Sequence, residues 1–359
     1  MNTFQLYRTW NNLLKQWLPA QCHTRLTNLT WLIVGLYLAR CVHASAIVKQ
    51  WRVPAKVVSL TRRLSRFLDN PAVQVTVWYK PVARRVLERW QDQTATLIID
   101  ATRVGAGHQL IMVAVAYRRR ALPLAWTWVP WVRGHSPAQA QLTVLKRVRN
   151  LLPPAVGVIL VGDAGFGSVS LIRQATDWHW GYVLRQTSKH LVQVSGAADW
   201  QAFRQLVAGP GQSVWEPRAI FTRRWQQATS VLAFWQTGQT DPWLLTTNLP
   251  SPAAAYRAYR RRMWIEEMFA DLKGHGLDLE ATHLRHADRL SRLMLAVCLL
   301  YLWLILFGAR VIKAGFRHWV DRRDRRDLSV FRIGLDLLER CLVQGLRLPV
   351  AVPTLVSGS

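Results

Sequence analysis

Asp100 closes the apolar run Leu97-Ile98-Ile99, and Asp163 follows the apolar run from Val156 to Val161 after Gly162. Each is expected at the C-terminal end of a strand, facing the crevice where α/β sheets usually bind ligands. Strand ends are also common places for Asp caps and turns, so neither aspartate decides anything alone. A third acid, Glu266, lies in Tyr259-Arg260-Arg261-Arg262-Met263-Trp264-Ile265-Glu266-Glu267-Met268-Phe269-Ala270-Asp271-Leu272-Lys273, which lacks Pro and Gly and reads as a helix. With Tyr259 at zero and about 100° per residue, Arg262, Glu266 and Lys273 fall at about 300°, 340° and 320°. One carboxylate, two cations and a tyrosine therefore share a band. Glu267 and Asp271 fall at about 80° and 120°, off that band, and are expected to be dispensable for metal binding.

Three clustered carboxylates repel one another, and a hard divalent cation is the usual remedy. Mg2+ or Mn2+ is expected, as two ions. Two such ions about 3.5–4 Å apart can activate a water or 3′-hydroxyl and stabilise a leaving 3′-oxygen in an in-line displacement. Phosphodiester cleavage and strand transfer need that chemistry and no covalent protein nucleophile. A serine-hydrolase reading fails for want of a Gly-x-Ser-x-Gly elbow. Asp163-Ala164-Gly165-Phe166-Gly167 lacks the Gly-Lys-Ser/Thr of a phosphate-binding P-loop.

Composition points to the same class of partner. Lys and Arg total 47 against 20 Asp and Glu, a net charge of +27, and the basic residues run along the whole length. Such an excess implies a polyanion, nucleic acid first and an anionic membrane second. Half the residues are hydrophobic and 19 are Trp, which excludes a disordered basic protein. Cys22, Cys41, Cys298 and Cys341 are widely spaced with no Cys-x2-Cys pair, so free thiols in a reducing compartment are expected. The N-terminus lacks the features of a signal peptide. Residues 29–48 are interrupted by Arg40 and His43. Leu293 to Phe307 is wholly apolar, but its 15 or so residues fall short of the roughly 20 that a bilayer needs, and a buried core helix is expected.

Particular elements must position the acids. Residues 1–92 read as helical and basic. In Val57 to Leu68, Leu60, Leu64, Phe67 and Leu68 make a core face, and Arg62, Arg63 and Arg66 make an outer face suited to DNA phosphates. The stretch 71–80, bounded by Pro71 and Pro81, reads as a connector. Strands are predicted over Thr94–Asp100, Gln109–Tyr117 and Ala121–Val129. A helix over 136–151, a strand over Val156–Val161, a helix over Ser168–Trp178 capped by Ser168, and a strand over Trp180–Leu184 come next. A mostly β insertion occupies about 187–249 and carries Trp215, Trp225, Trp235 and Trp243. Helix resumes at Ala253, and another runs from Arg285 to Phe307. Three meander strands followed by alternating units imply a mixed sheet with helices on its faces, with the first strand beside the fourth. The expected domains are 1–92, 93–308 and a helical C-terminal segment, 309–359.

This combination resembles the DDE transposases of bacterial insertion sequences. The branch is the one with the Tyr-x2-Arg-x3-Glu-x6-Lys signature, insertion sequence family four. Asp100-Ala101-Thr102 is similar to the family's first acidic block, and Asp163-x-x-Phe166 to its second. Tyr259, Arg262, Glu266 and Lys273 match the third. Arg185 is similar to a basic residue the family carries after its fifth strand. The resemblance implies an RNase-H-like core with a β insertion, preceded by a helical DNA-binding domain. It implies Asp100, Asp163 and Glu266 as catalytic metal ligands, with Tyr259, Arg262, Lys273 and Arg185 on DNA. It also implies cut-and-paste transposition at inverted element ends by a synaptic homodimer, in the bacterial cytoplasm at the nucleoid. In related enzymes an insertion-domain Trp stacks a flipped base, and no motif selects one here. Two other readings stand beside this one: an inactive DNA-binding protein or repressor derived from such an element, and a membrane-associated protein using residues 293–307.

Overall fold

The computed structural model describes residues 3–105, 107–132 and 136–350. The chain opens with five helices: α1 (Thr3–Trp17), α2 (His23–Ala39), α3 (Ala44–Lys49), α4 (Val57–Asp69) and α5 (Val75–Leu87). In α4 the buried face is Leu60, Leu64, Phe67 and Leu68, as its spacing requires. The connector expected over 71–80 is instead largely α5, with Pro81 in its interior. The proline loses one backbone bond to the preceding turn. Burial of Trp78, Tyr79, Val82, Ala83, Val86 and Leu87 outweighs that loss.

A sheet comes next, with β1 (Thr94–Val104), β2 (His108–Tyr117), β3 (Arg120–Pro130), β4 (Gly157–Gly162) and β5 (Gly181–Arg185), interleaved with α6 (Ala138–Arg149) and α7 (Val169–Asp177). The insertion supplies β6 (Leu191–Gln193), β7 (Gln201–Ala202), β8 (Ser213–Phe221), β9 (Gln227–Phe234) and β10 (Trp243–Thr247). All ten strands form one sheet in the order β3-β2-β1-β4-β5-β10-β9-β8-β6-β7. The insertion therefore extends the sheet, because β10 pairs antiparallel with β5. Pro123 is tolerated in β3 because that strand lies at the sheet's edge. The turn joining β2 to β3 is the pair Arg118-Arg119, both at positive φ, 46° and 61°. That is the backbone a two-residue hairpin demands, here without the usual Asn or Gly. Helix α6 packs on β3 and α7 on β5.

The last helices are α8 (Pro252–Tyr259), α9 (Met263–Leu272), α10 (Ala287–Lys313) and α11 (Val330–Val343). Contacts divide the chain into two compact units. One holds residues 90–102 and 109–267, hence nearly all of the sheet. The other holds 3–89, 103–108 and 268–350 of the described residues, hence the first five and last two helices. The boundary expected at 308 falls inside α10, which packs on α2, α4, α5 and α11. Trp10 meets Trp303 with ring centroids 5.3 Å apart. Helix α10 is long and apolar enough to cross a membrane, yet 89% of its most apolar window is buried within the protein. Residues 351–359 of the expected C-terminal segment lie outside the described residues.

Candidate active site

Strand β1 pairs with β4 in parallel, from Thr94 opposite Gly157 to Ile99 opposite Gly162. Asp100 and Asp163 are the next residues along the chain. Side chains at matched positions of a parallel pair leave the same face, and neighbouring strands lie about 4.8 Å apart. Two carboxylates are thereby set side by side where the ladder stops. Strand β1 does not end at Asp100 as expected; it runs on to Val104, so β4 is the strand that ends.

Asp100 is 7% exposed. Its Oδ1 accepts the Ala101 N–H at 2.7 Å, and its Oδ2 faces Arg262 Nη1 at 3.4 Å. Burial, then the neighbouring Asp163 charge, pushes its carboxyl up to about 7. Arg262 and the Ala101 N–H oppose that rise, and Glu266 adds to it.

Asp163 uses Oδ1 to accept the Gly165 N–H at 2.9 Å, capping the short 3-10 turn Ala164–Phe166. The capping role open to any strand-end aspartate is thus filled by one oxygen. The turn is held from several sides. Phe166 is buried, and a Cβ on Gly162 would meet its Cβ at 2.9 Å. A Cβ on Gly167 would meet the Arg185 carbonyl at 2.5 Å, so only glycine lets the turn and the end of β5 approach. Buried Gln141 of α6 donates through Nε2 to the carbonyls of Gly165 and Ser136, each at 3.0 Å.

The signature segment is not one continuous helix. Residues Arg260–Arg262 form a 3-10 turn between α8 and α9. A 3-10 residue advances about 120° rather than 100°, so three of them rotate α9 by about 60° relative to α8. Arg262 bridges two acids: Nη1 to Asp100, and Nη2 to Glu266 in a short ion pair. Its Nε is buried without a hydrogen-bond partner. Tyr259 is 2% exposed, packs edge-on to Trp243 at 4.9 Å, and has the Arg262 guanidinium 6.0 Å from its ring centre. Burial raises its hydroxyl pKa, while the Arg262 and Arg185 charges lower it. Arg185 approaches that hydroxyl as a hydrogen-bonding neighbour without closing full hydrogen-bond geometry. Glu267 turns away to Arg120 at 3.3 Å. Asp271 is buried and accepts from the Tyr301 hydroxyl at 3.4 Å.

Residues 92–303, more than half the chain, match the family described as "Transposase DDE domain". The chain belongs to that family. A cryo-EM structure of a piggyBac transposase synaptic complex with hairpin DNA is similar at 10% identity, over 98% of this chain and 83% of that one, with a TM-score of 0.47. No curated protein matches.

In this transposase domain Asp100 feels the charges of both Asp163 and Glu266, and Arg262 joins Asp100 to Glu266. Among the described residues no three His, Cys, Asp or Glu side chains are drawn together tightly enough to hold a metal ion as they stand. The reason is local: a guanidinium lies between Asp100 and Glu266. The donors themselves fit a hard divalent cation. All are carboxylate oxygens, and the Asp163 and Glu266 charges both bear on Asp100. Other expected site residues belong to the helical unit. Lys273 belongs to the helical unit and pairs with Glu280 at 2.8 Å. On α4, Arg62 and Arg66 are not buried, whereas Arg63 is drawn in to Asn28 at 2.7 Å and over the Trp51 ring at 5.7 Å. The acidic end of the sheet also holds Trp243, and the Arg204 guanidinium lies 4.0 Å from the centre of the Trp235 ring.

Sequence reasoning missed two residues. Gln141 secures the turn after Asp163, and Arg261 donates to the buried Thr96 hydroxyl at 2.6 Å, tying the 3-10 turn to β1. An amphipathic helix bearing one inward Gln carries no distinguishing pattern. The run Arg260-Arg261-Arg262 hides its members' different duties.

Proposed function

We propose that the protein is a DDE transposase that cleaves DNA at the ends of its own element and joins the 3′-hydroxyls to target DNA. The observation that carries the reading is the β1–β4 register, which leaves Asp100 and Asp163 adjacent at the end of the pairing, with Glu266 reaching Asp100 through Arg262. The strand order β3-β2-β1-β4-β5 supports an RNase-H-like core. The net charge of +27 supports DNA as partner.

In this reading Asp100, Asp163 and Glu266 hold Mg2+ or Mn2+, as two ions. When bound, the ions supply Lewis-acid activation of a water or 3′-hydroxyl and charge stabilisation at the leaving oxygen. The protein's share is positional. Asp100 acts as its carboxylate, which the Ala101 N–H favours against burial, and which Arg262 Nη1 favours until a phosphate draws it away. Arg262 leaves the acids and presents its fork to a phosphate, a geometry suited to guanidinium. Tyr259, its hydroxyl beside Arg185, contacts the terminal DNA backbone. Lys273 is a point charge for a phosphate. Arg62 and Arg66, on the outer side of α4 with Ser59 beside them, approach the element end. A homodimer brings two ends together, and the bacterial nucleoid is the expected location.

The test is metal-dependent cleavage and joining of a terminal-repeat duplex by the purified protein. Nicking with Mg2+ that disappears in Asp100→Ala supports the reading. DNA binding without nicking in any divalent ion would favour the inactive DNA-binding protein instead.

A further inference from the structure

The sheet has a second end, and strand directions locate it. Strand β5 runs from Gly181 to Arg185, toward the acids, and Leu245 of β10 pairs with Arg185 while Thr247 pairs with Val183. Strand β9 pairs Phe234 with Trp243 and Ser230 with Thr247. The start of β9 therefore lies at the Gly181 end, away from the acids. The hairpin between β8 and β9, Thr222-Arg223-Arg224-Trp225-Gln226, projects there.

Its tip is unusual in three respects. Trp225 is 49% exposed, one of few large apolar side chains so placed among the described residues. Two guanidiniums flank its ring: Arg224 at 4.8 Å and Arg173, from α7, at 5.7 Å from the ring centre. The tip is also fixed. Arg173 donates to the Trp225 carbonyl and to Gln227 Oε1, each at 3.1 Å, and the Trp225 N–H donates to Thr222 Oγ1 at 3.3 Å. Thr222 and Gln226 take the left-handed backbone that closes the loop, at φ 62° and 43°.

At the same end Arg149, the last residue of α6, lies over Trp178, just past α7, at 5.0 Å. Arg149, Arg173, Arg223 and Arg224 make no ion pair with any carboxylate among the described residues. Asp177 is the exposed acid nearby on α7. Such a surface is costly for an isolated protein, because four cations repel and an indole meets water. Guanidiniums already held against indoles lose less freedom on meeting a phosphate.

We propose that this end of the sheet, centred on Arg223, Arg224 and Trp225 with Arg173 and Arg149 beside them, is a second DNA surface. It grips the backbone of a duplex remote from the scissile phosphates. The guanidiniums take phosphates, and the indole lies against the sugars between them. It rests on the transposase reading for its partner, and it assigns a segment that the acidic end does not reach.

The test uses the full chain and a labelled duplex of about 30 base pairs lacking any terminal repeat, titrated across a salt series. Each phosphate contact adds about 0.9 to the slope of log affinity against log salt. Arg223→Ala/Arg224→Ala is expected to lower that slope by about 2, with unchanged thermal melting. Trp225→Ala is expected to weaken binding at every salt concentration with the slope retained. Metal-dependent nicking of a saturating terminal-repeat duplex is expected to survive in both variants. A double variant with wild-type affinity and slope overturns the inference and leaves the functional reading standing. A wild-type protein that nicks no terminal repeat overturns that reading instead, whatever the hairpin does.

Discussion

Glu266 and Glu267 are adjacent and chemically alike, yet one reaches the site through Arg262 and the other pairs with Arg120. Glu266→Gln is therefore expected to lower nicking by at least the roughly hundredfold that losing even an outer metal partner costs. Glu267→Gln should stay within a few-fold of wild type in the same assay. Asp100 makes a second prediction, in the thermal melt. Its folded carboxyl lies at about 7 against an ordinary value of 3.8. The folded state thus binds the extra proton between those values. The associated stability is fully present below about pH 4 and lost as pH rises through 7. Asp100→Asn should melt above wild type at pH 8, by a margin on the order of a few kcal/mol, and lose that advantage near pH 4. Wild type being equally or more stable than the variant at pH 8 would contradict the burial argument. These acids were legible because each ends or follows a distinctive run. Gln141 and Arg261 were not, because their roles exist only once α6 and the 3-10 turn meet the sheet.

The elements were legible where periodicity is local, as in the buried face of α4 and the Ser168 cap of α7. They were less so where tertiary contacts overrule a local signal. Pro81 suggested a connector, and a buried aromatic face made a helix of it. The uniform 100° advance placed Tyr259 on one band with Glu266 and Lys273; the 3-10 turn breaks the helix between Tyr259 and the other two. The insertion read as β, but nothing in its sequence indicated that β10 would continue the main sheet beside β5. Two substitutions probe these elements. Arg118→Asn/Arg119→Gly should stabilise the protein by about 1–2 kcal/mol in denaturant unfolding, since both positions are left-handed, where Gly escapes a penalty of about that size and Asn tolerates the conformation better than Arg. Gly167→Ala should do the opposite and cut nicking sharply. The obstructing atom is the Arg185 backbone carbonyl, which cannot rotate aside.

At the scale of the molecule, the division into units departs from chain order. The helical unit is built from both ends of the chain, with the sheet unit threaded between. Helices α2, α4 and α5 all pack on α10, and Trp10 on Trp303. A fragment of residues 1–89 alone should therefore lack a cooperative melt by circular dichroism. Adding residues 268–350 in trans should restore one. A cooperative melt for the first fragment by itself would show that its apolar faces are self-sufficient. The same arrangement bears on synthesis. At about 5–20 residues per second, the ribosome takes roughly 10–50 s to pass from the first helices to the last. For that interval the nascent helices carry exposed apolar faces awaiting α10 and α11. A delay before the helical unit can close is built into the order in which its residues are made.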